Sequence, residues 1–235
     1  MQAVILAGGL GTRLLPVTRR IPKAMVSVHG RPFLEYEVGL LRSQGVAELV
    51  VCLGHLGKMI RDHFGDGRGF GVAIKYSEDG PGLLGPAGAL KRAEALLEDA
   101  FFVTYGDVYL RAPYSTMMRR LADSNALALM AVYRNDNRLG RSDLRIERGR
   151  VVRYDKKGGA GMKWINYGVT AMKKRALDAI PAGRAVGEEE FYGTLIKRGD
   201  LLAFPVTRRF YEIGTPESLD EFSSFMGRSE RPARP

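Results

Sequence analysis

Cysteine is nearly missing: Cys52 is the single one among 235 residues. A lone cysteine cannot close an internal disulfide, which suits a reducing compartment. Long apolar runs are missing too, since none approaches the roughly 18 residues that a membrane helix needs. At the N-terminus no basic segment leads into an apolar one, because Gly8 interrupts it, so no secretory leader is expected. A soluble cytoplasmic protein with no membrane partner is the expectation. Histidine is scarce: His29, His55 and His63 are scattered and read as structural or surface residues. No Ser-His-Asp or Cys-His constellation for nucleophilic catalysis emerges. At 45% hydrophobic and 26% charged residues, the composition excludes disorder, collagen and disulfide-rich scaffolds. The length suits one domain, alone or with a small lid.

Acidic residues are absent from positions 1–34, which carry Arg13, Arg19, Arg20, Lys23 and Arg31; the first carboxylate is Glu35. Over the whole chain, 36 Lys+Arg face 26 Asp+Glu, a formal net charge of +10. Such a balance points to an anionic partner. A nucleic acid is one candidate, but no binding motif with interleaved aromatics accompanies the charge, so none is expected. An acid-free segment that also holds a glycine-rich turn favours phosphate.

Strand and helix patterns alternate along the first half. Strands are expected at Gln2–Ala7, Glu48–Leu53, Val72–Ser77, Phe101–Tyr105 and Leu127–Tyr133. Helices are expected from Pro32 to Gly45, then at Leu56–Phe64, Ala87–Leu97 and Tyr114–Asp123. That rhythm predicts an α/β fold with a mixed, mostly parallel sheet flanked by helices. After Asn135 it changes. Leu144–Glu147 and Val151–Tyr154 flank Arg148-Gly149-Arg150 as a hairpin. The glycine cluster 158–161 follows, as a lid or a plain turn. Then come a strand around Trp164–Met172, helices at Lys174–Ile180 and Glu188–Lys197, strands at Leu201–Val206 and Arg209–Ile213, and a last helix Pro216–Phe225. Residues 1–227 read as one domain: 1–134 a first half, 135–213 an elaboration on the same sheet. The basic stretch 228–235 reads as a flexible tail.

Ligands of such sheets bind beyond the carboxyl ends of the strands. Leu6-Ala7-Gly8-Gly9-Leu10-Gly11-Thr12-Arg13 lies there. Its glycines let backbone N–H groups approach phosphate oxygens. A dinucleotide fingerprint needs a glycine where Leu14 stands, and a Walker loop needs Ser or Thr where Met59 follows Gly57-Lys58. Neither common phosphate loop fits.

A longer frame does. Gly8-Gly9-Leu10-Gly11-Thr12-Arg13-Leu14, Pro16, Thr18, Pro22-Lys23, Met25 and Gly30-Arg31-Pro32 resemble the signature of the sugar-1-phosphate nucleotidyltransferases. Gly85-Pro86-Ala87-Gly88-Ala89-Leu90 resembles that family's base-binding segment, Gly106-Asp107 its metal-binding strand end, and Gly214-Thr215-Pro216-Glu217 its C-terminal motif. The resemblance spans residues 1–225. It implies the nucleotide-diphospho-sugar transferase fold, Rossmann-like, with a small hairpin or lid elaboration.

The implied reaction joins a nucleoside triphosphate to a sugar 1-phosphate, releasing pyrophosphate, with Mg2+. By the resemblance, Arg13 and Lys23 are catalytic and hold the triphosphate. Leu6, Ala7, Gly8, Gly9, Gly11, Thr12, Arg13 and Gly88 bind the nucleotide. Asp107 and Glu212 bind the metal, although the family usually has Asp at the second position and a small polar residue where Tyr105 stands. Lys156 (with Lys157 or Lys163 as alternatives), Asn166 and Gly168 bind the sugar phosphate. Trp164 and Tyr167 wall the sugar pocket or pack in the core. Glu188–Glu190 are a helix's first turn, with one carboxylate available to sugar hydroxyls. The absence of a Gly-Leu-Ala-Gln segment points away from the thymidylyl branch and towards the branches using GTP with mannose or heptose 1-phosphate, or UTP with N-acetylmuramate 1-phosphate, with GTP the first choice. UTP or CTP with another phosphate monoester, and a non-catalytic nucleotide-sugar sensor, are the alternatives. No hexapeptide repeat signals a fused acyltransferase.

Overall fold

The first strand, β1 (Gln2–Leu6), is apolar on both sides and buried on both. That pattern suits the middle of a parallel sheet. A computed structural model describes residues 1–80, 82 and 84–229. Two short strands, β2 (Ser27–Val28) and β3 (Arg31–Pro32), form a small hairpin before helix α1 (Phe33–Ser43). Then follow β4 (Glu48–Leu53), α2 (Gly57–Phe64), β5 (Ala73–Glu78), α3 (Gly85–Arg92) and β6 (Ala100–Tyr105). After these come β7 (Val108–Tyr109), α4 (Tyr114–Ala122), β8 (Ala128–Arg134), β9 (Leu144–Glu147), β10 (Arg150–Tyr154) and β11 (Trp164–Lys173). The chain continues through α5 (Glu188–Arg198), β12 (Leu201–Val206), β13 (Tyr211–Glu212) and α6 (Pro216–Ser229).

Nine strands form the main sheet in the order β5-β4-β1-β6-β11-β8-β12-β10-β9. The pairings put β10 and β11 antiparallel to the other seven strands. The expected mixed, mostly parallel sheet is therefore present. Period-2 alternation splits each strand between two cores. Ala3, Ile5, Leu49 and Val51 face α1, α2 and α4, while Val4, Val50 and Cys52 face α3 and α5. A third cluster joins Leu14, Phe33, Tyr109, Ile213 and Phe222, so α6 clamps the glycine-loop region to the short β7–β13 ladder. Among the described residues no helix is long and apolar enough to cross a membrane.

Several boundaries differ from the sequence expectation. The helix expected at Ala87–Leu97 ends as α3 at Arg92, and Glu94–Leu96 tightens into a 3-10 turn, a common way to finish a helix. Lys174–Ala179 is a 3-10 segment rather than an α-helix. The strand expected at Arg209–Ile213 keeps only Tyr211–Glu212, because Arg209 turns to a fork with Glu221 at 2.6 and 2.7 Å. The last helix runs past Phe225, so Arg228 and Ser229, assigned to the tail, are helical. The rest of that tail, 230–235, lies outside the described residues. Gly158 and Gly161 take positive φ in consecutive turns, a conformation suited to glycine.

Candidate active site

Because β1, β4, β5 and β6 are parallel neighbours, their carboxyl ends share one edge. The glycine loop, Gly54, Asp79 and Asp107 all gather there. Gly8 and Gly54 cross so closely that a Cβ on Gly54 would sit 2.6 Å from the Gly8 carbonyl oxygen. No side chain fits that crossing. Gly11 has φ +62°, and the Thr18 hydroxyl donates to its carbonyl at 2.8 Å. A Cβ on Gly11 would meet Thr18 at 2.9 Å. The spacing of the signature is thus a packing requirement.

Two cavities open along this edge. The smaller, about 230 Å³, is walled by Leu6, Ala7, Gly8, Gly9, Lys23 and Asp79, with Pro86 and Ala89 from α3. The larger, about 870 Å³, is walled by Asp143, Asn166, Gly168, Glu188 and Glu212 among others. They meet at Tyr105 and Asp107, which line both. At this junction the Lys23 ammonium donates to Asp107 Oδ2. Burial of the Lys23 side chain (14% exposed) makes that ion pair stronger than one in open water.

The β7–β13 ladder sets Glu212 beside Asp107. Glu212 pairs with Val108, and the Ile213 N–H donates to the Asp107 carbonyl at 3.0 Å. Arg13 reaches Glu212 at 3.9 Å. Gly214 leaves the room for this, since a Cβ there would lie 2.8 Å from the Arg13 guanidinium. Arg13, Lys23, Asp107 and Glu212 are therefore brought together. Thr12 and Gly11 belong to the same loop without lining either cavity. Gly88 stands apart: its missing side chain admits the backbone of 184–186, and its neighbours Pro86 and Ala89 face the smaller cavity.

On the larger cavity's far wall, Lys156 Nζ donates to Glu188 Oε2, and the Tyr105 hydroxyl donates to Glu188 Oε1. Tyr154 reaches Oε2 at 3.4 Å. Burial, helped by the Glu189 charge, pushes the Glu188 carboxyl up to about 7. Burial likewise pushes Asp143 up to about 6, against hydrogen bonding from the Asn166 N–H at 3.0 Å and the Lys156 charge. Asn166 Oδ1 accepts from the Gly168 N–H at 2.9 Å, and Gly168 holds φ +95° with Val108 and Leu110 against it. Lys157 instead walls a separate hollow with Arg141 and Gly158, and Lys163 is exposed. Tyr167 is fully buried and still touches the larger cavity; Trp164 packs against a core.

Sequence reasoning passed over Asp79 and Asp143, and saw Tyr105 only as a departure. Asp79 had a usable signal, a carboxylate immediately after the edge strand β5. Asp143 had none, because a distant strand carries Asn166 to it. Among the described residues no group of three or more His, Cys, Asp or Glu could by itself hold a metal ion. Asp107, just before β7, and Glu212, on β13, are two carboxylates lining one cavity, a donor set that suits Mg2+ completed by phosphate oxygens and water.

Comparison with known proteins places the chain in a family. The family model for nucleotidyl transferases matches residues 2–153. A D-glycero-alpha-D-manno-heptose 1-phosphate guanylyltransferase of Campylobacter jejuni is 29% identical over 94% of this chain and 98% of its own length. A mannose-1-phosphate guanylyltransferase of Mycobacterium tuberculosis is 30% identical over 99% of this chain and 66% of its own. A UTP–glucose-1-phosphate uridylyltransferase of Synechocystis is 30% identical over 78% of this chain, which spans only about half (52%) of that relative. The crystal structure of HddC from Yersinia pseudotuberculosis complexed with GMP-PN superposes with a TM-score of 0.81 at 28% identity, covering 96% of this chain and 99% of that one. The fold and the signature carry one conclusion: the chain belongs to the nucleotidyl transferase family, in the company of sugar-1-phosphate nucleotidyltransferases.

Proposed function

We propose that this protein is a cytoplasmic, Mg2+-dependent enzyme that transfers the guanylyl group of GTP to mannose or heptose 1-phosphate, releasing pyrophosphate. The observation that carries the reading is the junction of the two cavities at Asp107, with Lys23 held against it. The glycine-walled cavity takes the nucleotide; the larger one takes the sugar phosphate. Guanine is favoured because relatives covering 94% and 99% of this chain are guanylyltransferases.

The acceptor phosphate is already an anion at neutral pH, so no general base is required. The barrier is to bring two anions into line and to neutralise the charge that builds up. The glycine loop's N–H groups and Arg13 bind phosphate oxygens; the planar Arg fork suits two of them. Lys23 turns from Asp107 to the triphosphate as its charge grows. Asp107 and Glu212 would hold Mg2+, which supplies neutralisation of the triphosphate when bound. Lys156, released from Glu188, meets the acceptor phosphate, and Asn166 and Glu188 orient the sugar hydroxyls. No nucleic-acid partner is part of this reading.

Pyrophosphate release across five nucleoside triphosphates and a panel of sugar 1-phosphates, with phosphocholine included, tests it. Release with GTP and mannose or heptose 1-phosphate, lost in Asp107→Ala, is the expected result. Release with UTP or CTP alone would transfer the assignment to those bases, as the uridylyl relatives allow. Silence from folded protein that still binds the nucleotide would leave a sensor.

A further inference from the structure

Six carboxylates wall the larger cavity, and five of them already have partners. Asp107 holds the Lys23 ammonium, and Glu212 faces Arg13 at 3.9 Å. Glu221 is forked by Arg209. Glu217 is held at the start of α6 by its own N–H and the Thr215 hydroxyl. Glu188 spends Oε1 on the Tyr105 hydroxyl and Oε2 on Lys156 and Tyr154. Asp143 is different. Its Oδ1 accepts from the Asn166 N–H at 3.0 Å, and among the described residues Oδ2 takes no hydrogen bond from any other residue.

The same carboxyl is held still. The Asp143 N–H donates to the Trp164 carbonyl, and the Asp143 carbonyl accepts from the Asp155 N–H, both at 2.9 Å. The segment leading into it is fixed from inside. Asn135, fully buried, donates to the Gly140 carbonyl at 2.8 Å and to Ser142 Oγ at 3.1 Å, and it accepts from the Leu139 N–H at 2.8 Å. Burial raises the Asp143 carboxyl to about 6, so at pH 7.5 it is ionised and can only accept. An ionised oxygen in a half-buried wall is costly unless a ligand brings donors to it. Adjacent hydroxyls on a sugar ring are such donors, and a carboxyl fixed in advance meets them without having to be ordered. We infer that Asp143 is a specificity-determining residue for the acceptor: Oδ2 accepts from adjacent ring hydroxyls and so selects sugar 1-phosphates that carry them against those lacking one. This inference deepens the acceptor assignment above and rests on it.

Turnover with mannose 1-phosphate and its 2-, 3-, 4- and 6-deoxy analogues, at pH 7.5 and saturating GTP, tests it on the full chain, on Asp143→Asn and on Asp143→Ala. The Asn variant keeps the oxygen that Asn166 needs and puts an amide donor where Oδ2 stood. In the unaltered protein at least one deoxy analogue should lose about 100-fold or more in kcat/KM, because a site built to bond a hydroxyl is left unpaired without it. Asp143→Asn should shrink that preference at least tenfold, and Asp143→Ala should bring it within about threefold of unity. The KM for GTP should stay within about threefold in both variants. Calorimetric titration of the same five sugars should give the same order of preference without relying on turnover. A uniform loss across all five acceptors, with the preference intact, is what a merely structural Asp143 gives and would overturn the inference. So would a full chain that shows no preference among them. Failure of the full chain to bind or turn over any sugar 1-phosphate is a separate result: it overturns the catalytic reading and this inference with it.

Discussion

The two catalytic cavities share Asp107 and are built in opposite ways. The smaller is made mostly of backbone and small residues: Ala7, Gly8, Gly9, Gly85 and Ala89 leave its wall thin, and Lys23 supplies the positive charge. The larger is made of side chains from distant segments, with Asp107, Asp143, Glu188, Glu212, Glu217 and Glu221 against two arginines. In a chain of net charge +10, that acidity is local; the smaller cavity has Asp79 and Asp107 against Lys23. A pocket for phosphates needs close backbone and cations. A pocket for a polyhydroxylated ring needs hydrogen-bond acceptors. On the proposed reading, the comparison teaches that one ligand is gripped by the main chain and the other is selected by side chains.

The sharpest way to break the contrast is at the junction. Lys23→Ala should lower kcat by about 10²–10³-fold, the usual loss when one charge-stabilising group is removed, with little change in melting temperature; single-turnover kinetics would read it. Next is the clamp that holds the ladder between the cavities. Phe222 is fully buried and meets Phe33 edge-on at 4.9 Å. Phe222→Ala should cost about 3–5 kcal/mol in a denaturant titration and disturb both cavities through Tyr109 and Ile213.

A subtler probe separates the side-chain pocket from the backbone one. Glu188 and Asp143 have carboxyls raised in the folded state, to about 7 and about 6. The folded chain then holds protons that the unfolded chain has released, so the stability each contributes falls as pH rises. For Glu188 that decline runs from the ordinary 4.5 up to about 7, and for Asp143 from 3.8 to about 6. Melting temperature against pH should show the slope, and Glu188→Gln should flatten its upper part. The same variant should raise the acceptor's KM while leaving that of GTP unchanged; an equal rise in both would erase the division of labour. The smallest effect expected is the contrast between neighbours. Lys156→Ala should weaken acceptor binding, whereas Lys157→Ala, whose side chain is remote from Glu188 in a separate hollow, should leave both KM values within about twofold, as for an exposed charge.

The backbone pocket was legible because its constraints are local. Gly8, Gly11, Pro22 and Lys23 sit close in sequence, and steric necessity imposes their spacing. Asp107 and Glu212 were legible as a pair of candidate carboxylates through their neighbours Gly106 and Gly214-Thr215. Gly88 was expected beside the nucleotide; that it also packs closely on the 184–186 backbone depends on which side of α3 faces inward, which the sequence does not show. Tyr105 was visible as an unexpected residue, but not as the donor to Glu188, since those residues lie on elements far apart in the chain. Asp143 lines the larger cavity beside Asn166 only because the fold brings the two segments together.

By itself, then, the sequence determined the alternating α/β plan and the close-packed glycine loop, because hydrophobic period and glycine spacing act over a few residues; the reaction class came through the family resemblance. Only the tertiary structure decided the outer sheet order, the pairing of β7 with β13 and the acidic acceptor pocket. Those depend on burial and long-range pairing, where the energy of a carboxylate is set by what the fold places around it and not by its neighbours in the chain.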